Sequence, residues 1–321
     1  MLTYAILQNP GHNRVYFKSA RALALQEFGL QKLSTDPVNL REEILGGLPY
    51  LLFDSEGRLT ESDMITISNL SFVYGIFEYE KGMLIPLEKE LRHQFDEDIV
   101  TILKYTGKTN ELFTRMLLNI ATSCASSLNI LDPLCGKGTT LFEGLLRGYN
   151  VCGVDTDSKM ISEAYTFLKK YLEKGRYKHQ SHQERQGLGV GVEKYTAKRY
   201  QIKLENASVE FIDGDTKDVG NFYRKNTFHA IVGDLPYGVQ HTARKTRNFL
   251  PVLTEALPGW FKVLKPGGRL VLAWNLFLIE RQDIESALEA AGFTLLRHKG
   301  DESFVHRVDQ AILRDVIVAS K

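Results

Sequence analysis

The turn Asp132-Pro133-Leu134-Cys135-Gly136-Lys137-Gly138-Thr139-Thr140 constrains this chain more than any other stretch. It follows the apolar run from Leu128 to Leu131 and precedes a helical pattern from Thr139 to Arg147. It therefore reads as a buried strand ending in an acid, a tight turn and the N-terminus of a helix. Gly136 and Gly138 let the backbone turn sharply and approach a ligand with no Cβ in the way, and the first amides of the helix then face that ligand. The turn has neither the GxGxxG spacing of dinucleotide sites nor the ending of a P-loop, which points away from pyrophosphate.

Strand and helix patterns alternate from that turn onward. Leu128 to Asp132, Val151 to Asp155, Ser208 to Ile212, Phe228 to Asp234 and Arg269 to Trp274 read as buried strands, with Phe293 to Leu296 and Ala311 to Ala319 as a closing pair. Helical patterns cover Thr139 to Arg147, Ser158 to Tyr171, Phe249 to Leu264 and Asp283 to Ala291. This alternation predicts an α/β fold with a doubly wound, mostly parallel seven-stranded sheet. A further helix capped by Thr109 or Asn110 precedes the first strand, placing Lys108, Asn110 and Arg115 near the polar end of a bound cofactor.

Residues 1–105 read as a separate small α+β domain with a substrate-orienting role, leaving 106–321 as the main domain. Strands are expected at Tyr4 to Leu7, Leu48 to Phe53, Met64 to Ile67 and Phe72 to Tyr79, with a helix from Phe17 to Phe28. The two parts differ in charge. The first holds ten Lys and Arg against fifteen Asp and Glu, and the second thirty against twenty-four. Much of the excess lies in a basic insertion, 169–203, with ten Lys and Arg against three Glu and four interleaved tyrosines. Such a stretch can neutralise phosphates and stack bases.

Three cysteines, at 124, 135 and 152, are too few and too scattered for a disulfide framework or a Cys-rich zinc site, and no metal is expected. Cys135 fits the crowded turn as a small residue. No apolar run suggests a membrane span and the N-terminus has no leader pattern, so a cytoplasmic location is expected.

Acids at successive strand ends define the ligand. Asp155 lies 23 positions after Asp132, where doubly wound nucleotide sites place an acid against ribose hydroxyls. Asp215 can accept a hydrogen bond from an adenine amino group. A ribose, an adenine, an amino-acid tail and a cation that an acidic rim favours together describe S-adenosylmethionine. Its expected binding residues are Asn110, Arg115, Asp132, Pro133, Cys135, Gly136, Gly138, Thr139, Thr140, Asp155 and Asp215. A second loop, Asp234-Leu235-Pro236-Tyr237, places a carboxylate, a carbonyl and an aromatic ring together after another buried strand.

The two loops in this order resemble those of class I S-adenosylmethionine-dependent methyltransferases acting on exocyclic amines, with a Rossmann-like sheet. More narrowly, they resemble the THUMP-associated RNA guanine-N2 methyltransferases. The resemblance runs from about Lys108 to the C-terminus, and residues 1–105 show no THUMP pattern. Leu235 stands where the family commonly has Pro. Because the family uses that residue's backbone carbonyl, the change is compatible with activity. The resemblance implies methyl transfer to the N2 amine of a guanine in structured RNA, most often tRNA, with Asp234, Leu235, Pro236 and Tyr237 as the catalytic loop. RNA is the implied partner, held by 169–203 and by Arg244, Lys245 and Arg247. Adenine N6 and a protein glutamine amide present the same planar amine, and a non-catalytic cofactor-binding RNA-binding protein stands as the alternative of another class.

Overall fold

The computed structural model describes residues 1–9, 23–105, 107–123, 128–188, 195–236, 249–296 and 304–321. It comprises two compact units, Met1–Arg92 with His298–Leu313, and His93–Arg297 with Arg314–Lys321. The first break thus precedes the expected position at 105, and the smaller unit takes in a late segment that no change of composition marks.

The smaller unit contains β1 (Leu2–Gln8), helical residues 23–29 (α1), β2 (Val38–Leu45), β3 (Leu48–Ser55), α2 (Glu61–Ser68), β4 (Val73–Glu80) and β5 (Met83–Leu87). Its five strands form an antiparallel sheet in the order β2-β3-β1-β4-β5. Tyr4, Ile6, Leu51, Phe53 and Ile76 share a core with Phe28 and Ile67 from the helices, while the alternate residues Ala5, Tyr50 and Leu52 form a smaller buried cluster on the opposite face. The residues expected to form a strand from Met64 to Ile67 are instead helical. Thr60 accepts the Asp63 N–H at 3.2 Å, and the Asp63 carboxylate accepts the Thr60 N–H at 3.1 Å. This reciprocal cap satisfies two backbone donors that a helix start leaves open, and it outweighs the strand preference of Ile65, Thr66 and Ile67. Thr60→Ala is expected to lower stability by about 1 kcal/mol, measured as a shift of the denaturant midpoint at constant slope.

The larger unit runs α3 (Asp98–Thr101), α4 (Glu111–Thr122), β6 (Asn129–Asp132), α5 (Thr139–Leu146), β7 (Asn150–Asp155), α6 (Ser158–Lys174), β8 (Gln180–Leu188), β9 (Tyr195–Lys203), β10 (Ser208–Asp213), α7 (Val219–Phe222), β11 (Phe228–Asp234), α8 (Leu250–Val263), β12 (Leu264–Asn275), α9 (Arg281–Ala290) and β13 (Thr294–Leu295). After β14 (His306–Arg307), β15 (Leu313–Ser320) ends the chain. Its strand order is β13-β15-β12-β11-β6-β7-β10-β9-β8. Seven of these, from β13 to β10, form the expected sheet. β10, β7, β6, β11 and β12 are parallel, and β15 returns antiparallel beside β12. The described residues of the basic insertion contribute the last turn of α6 and then an antiparallel hairpin, β8–β9, that extends the sheet beyond β10.

Both faces of the sheet are covered. Ile212 joins Trp260 and Leu257 of α8 in one core, while its neighbour Phe211 meets Phe142 of α5 with ring centroids 6.4 Å apart. That alternation explains the near-continuous apolar runs of the central strands.

Candidate active site

β6 lies between β7 and β11, and the chain winds outward from it in both directions. Open α/β sheets bind ligands in the crevice at such a reversal, outside the carboxyl ends of the strands. Both loops identified in the sequence open there, one after β6 and the other after β11.

The turn after β6 is held from below. The Cys135 N–H donates to the Val154 carbonyl at 3.0 Å, and the Gly138 N–H to the Cys135 carbonyl at 2.7 Å. Gly138 has a φ of +84°, in the left-handed region, and a Cβ there would lie 3.3 Å from the Phe211 ring. A side chain there would be strained by the backbone conformation and crowded by the ring. Cys135 is buried, and burial pushes its thiol well up, so it packs as a small apolar residue. Pro133 packs close to Gly233 on the neighbouring strand. Thr139 and Thr140 are buried at the start of α5, with the Thr139 hydroxyl 3.1 Å from that of Tyr105.

Asp132 and Asp155 sit beside this turn. Asp132 accepts the Leu134 N–H at 3.0 Å and a hydrogen bond from Thr140. Asp155 accepts the Gly136 N–H at 2.8 Å on one oxygen and the Asp157 N–H at 2.9 Å on the other. Burial pushes the Asp132 carboxyl up to about 7, with Asp155 and Asp234 adding repulsion. Burial also raises Asp155. Neither acid has an ion-pair partner among the described residues. A buried carboxyl and a half-buried one without a counter-charge, beside a tight glycine turn, fit a ligand that brings its own positive charge.

Three expected cofactor residues have other structural duties. Asn110 caps α4, its side chain accepting the Leu112 and Phe113 N–H groups at 3.0 and 3.1 Å. Arg115 lies in a buried ionic cluster, 2.7 Å from Glu143 and 3.1 Å from Glu97, and Arg147 approaches the same Glu143 at 3.1 Å. Asp215 caps a 3-10 turn by accepting the Lys217 N–H at 3.0 Å. The residue directly opposite Asp155 in the sheet is Asp213, which accepts the Ser158 hydroxyl at 2.7 Å.

At the end of β11, Asp234 accepts the Thr109 hydroxyl at 2.7 Å on Oδ2, and Arg314 Nη2 lies 3.9 Å from the same oxygen. The Arg314 guanidinium covers the Phe113 ring, 4.1 Å from its centroid. Thr109 was legible only as a possible cap. Arg314 carries no local signal, because the pairing of β15 with β12 brings it here. Leu235 is 1% exposed and belongs to the core, and its N–H donates to the Ala273 carbonyl at 2.8 Å. A proline at this position would lose that hydrogen bond, which accounts for the Leu. Pro236 is exposed. Tyr237, Arg244, Lys245 and Arg247 lie outside the described residues.

Residues 103–299, well over half of the chain, match the RMKL-like methyltransferase domain. The chain belongs to that family. The methyl donor of the family is S-adenosylmethionine, whose charge and shape suit the acids and the turn after β6. The chain is 28% identical over 145 residues to the tRNA (guanine(10)-N2)-dimethyltransferase of Pyrococcus abyssi, a match covering 45% of this chain and 33% of that enzyme. It thus spans about a third of the length of that curated relative. It is also 27% identical over 144 residues to the "Probable tRNA (guanine(10)-N2)-dimethyltransferase" of Methanothermococcus thermolithotrophicus, covering 45% of this chain and 68% of the relative. Among solved structures, TrmN from Thermus thermophilus aligns with a TM-score of 0.45 at 17% identity, over 88% of this chain and 59% of that one.

Proposed function

We propose that this chain transfers a methyl group from S-adenosylmethionine to the exocyclic N2 amine of a guanine in structured RNA, with tRNA as the substrate class. The observation that carries the proposal is the end of β11, where a carboxylate held by Thr109 stands beside the backbone carbonyl of a residue anchored through its own N–H. The names of the two relatives support guanine N2 over other planar amines.

The chemistry follows from the amine. Its lone pair is delocalised into the ring, so it is a weak nucleophile. Bound S-adenosylmethionine supplies an electrophilic methyl group on a sulfonium. Asp234 and the Leu235 carbonyl accept the two N–H bonds, turn the nitrogen toward that methyl and stabilise the positive charge growing on it. Tyr237 stacks on the base, which must be unpaired or flipped out of its helix to enter. The basic segment 169–203, with Arg244, Lys245 and Arg247, neutralises RNA phosphates.

Thr109 fixes the carboxylate plane from which Asp234 works. Thr109→Val is expected to lower turnover about tenfold, the scale of a lost hydrogen bond to a charged group, with cofactor affinity unchanged and Thr109→Ser restoring activity. Steady-state kinetics with cofactor titration checks this. The proposal itself is tested by transfer of radiolabelled methyl to bulk tRNA, DNA and protein offered in parallel. Label in tRNA supports it, and label confined to DNA or protein contradicts it.

A further inference from the structure

We propose that the β8–β9 hairpin carries a nucleotide-binding subsite for the substrate, in which Arg185 and Lys198 hold a backbone phosphate beside the ring of Tyr200. This rests on the proposal above that the substrate is RNA. Sheet register places the subsite. Arg185 lies opposite Lys198, Lys198 opposite Asp213 and Asp213 opposite Asp155. Residues directly opposite share a face of the sheet, so these four form one row. Asp155 and Asp213 are the last residues of β7 and β10, and the row therefore lies along the edge where the methyl-donor turn opens. Reading outward, that edge carries two acids and then two bases.

Lys198 faces Asp213 on one side, but its pairing with Arg185 on the other is not explained by stability. Like charges directly opposite on neighbouring strands are destabilising. Both side chains are exposed, and neither has an ion-pair partner among the described residues. One position along, Arg199 shows how the hairpin treats a structural arginine. It is half-buried, lies 3.5 Å from Glu210 and 3.8 Å from Glu184, and donates to the Phe222 carbonyl at 3.3 Å. Protection of an edge strand against pairing with another chain calls for charge, but an Arg opposite a Glu would serve as well. Two opposed cations suit a ligand that supplies the missing negative charge.

The surroundings suit a nucleotide. An open surface groove of about 330 Å³ is lined by Gln183, Glu184, Arg185, Lys198, Arg199 and Tyr200. Tyr200 is tilted against Tyr165 of α6 with ring centroids 5.0 Å apart, which backs its ring as a stacking platform. Gln183 lies opposite Tyr200 on the same face, where its amide can reach a base edge.

The test uses the full chain, a fluorescein-labelled single-stranded RNA oligonucleotide and bulk tRNA, with binding measured across a salt series and cofactor binding measured alongside. Arg185→Glu places a carboxylate opposite Lys198 and removes the like-charge pair. The melting temperature is expected to hold or rise, while RNA affinity falls about tenfold and the slope of log affinity against log salt decreases by about one. Cofactor affinity is expected to stay the same. RNA binding by Arg185→Glu equal to wild type overturns the subsite alone, as does an affinity loss matched by a fall in melting temperature and in cofactor binding. Wild-type protein that binds neither RNA overturns the subsite together with the RNA reading.

Discussion

Asp234→Asn is expected to lower turnover by about 10²–10³-fold, the scale seen when one group is removed from a preorganised charge-stabilising site, while cofactor affinity is preserved. The substitution keeps the shape of the side chain and removes its charge. An amide oxygen can still accept one N–H from the substrate, but it no longer offsets the positive charge that grows on the attacking nitrogen. The effect therefore belongs to kcat rather than to KM, and single-turnover kinetics at saturating cofactor separates the two. Asp234 is set by three separate parts of the chain: the end of β11, the hydroxyl of Thr109 ahead of α4, and Arg314 at the start of β15. Thr109→Val introduced into the Asp234→Asn protein is expected to add little, since both act on the same carboxylate. Full turnover by Asp234→Asn would remove the amine-orienting role.

The second large effect concerns Asp132. Burial raises its carboxyl from the usual carboxylate range to about 7, so the folded state holds this proton more tightly than the unfolded chain does. The free protein consequently loses stability as pH rises from about 4 to about 7, by an amount on the order of 4 kcal/mol for this one group. Above pH 7 the cost is complete, and below pH 4 it is absent. Asp132→Asn is expected to stabilise the free protein at pH 8 and to leave it nearly unchanged at pH 4. Cofactor binding should move the other way. A cationic ligand prefers the ionised acid, so affinity rises with pH by up to tenfold per unit and levels off near pH 7, and Asp132→Asn weakens binding. Burial of Asp155 acts in the same direction. Calorimetric titration of S-adenosylmethionine across pH 5–8, paired with chemical denaturation, checks both signs.

Most of the larger unit was legible because its central strands are short apolar runs, four of which, β6, β7, β10 and β11, end in Asp. Phe228 to Asp234 was read with the boundaries that the structure has, and the antiparallel closing pair followed from two late apolar runs. The hairpin was not legible as strands. Gln180 to Arg185 is polar at every position and exposed at every position, so it shows no period-two alternation, and its pairing is fixed by β9, which is itself paired to β10. The helix at Glu61–Ser68 is hidden for the opposite reason: its β-branched run has the strand preference, and the Thr60–Asp63 cap that decides for a helix lies outside that run. In the site, residue type outran residue role. Asp132, Asp155, Gly136 and Gly138 lie together at the mouth of the sheet, whereas the side chains of Asn110 and Asp215 cap helical turns and that of Arg115 closes an ionic cluster. A cap and a ligand contact call for the same polar residues near a helix start.

The most direct test of the account is nucleoside analysis of tRNA methylated by the full chain with labelled S-adenosylmethionine. Label is expected in N2-methylguanosine or its dimethyl form, and is lost with Asp234→Asn. Label only in N6-methyladenosine would contradict it.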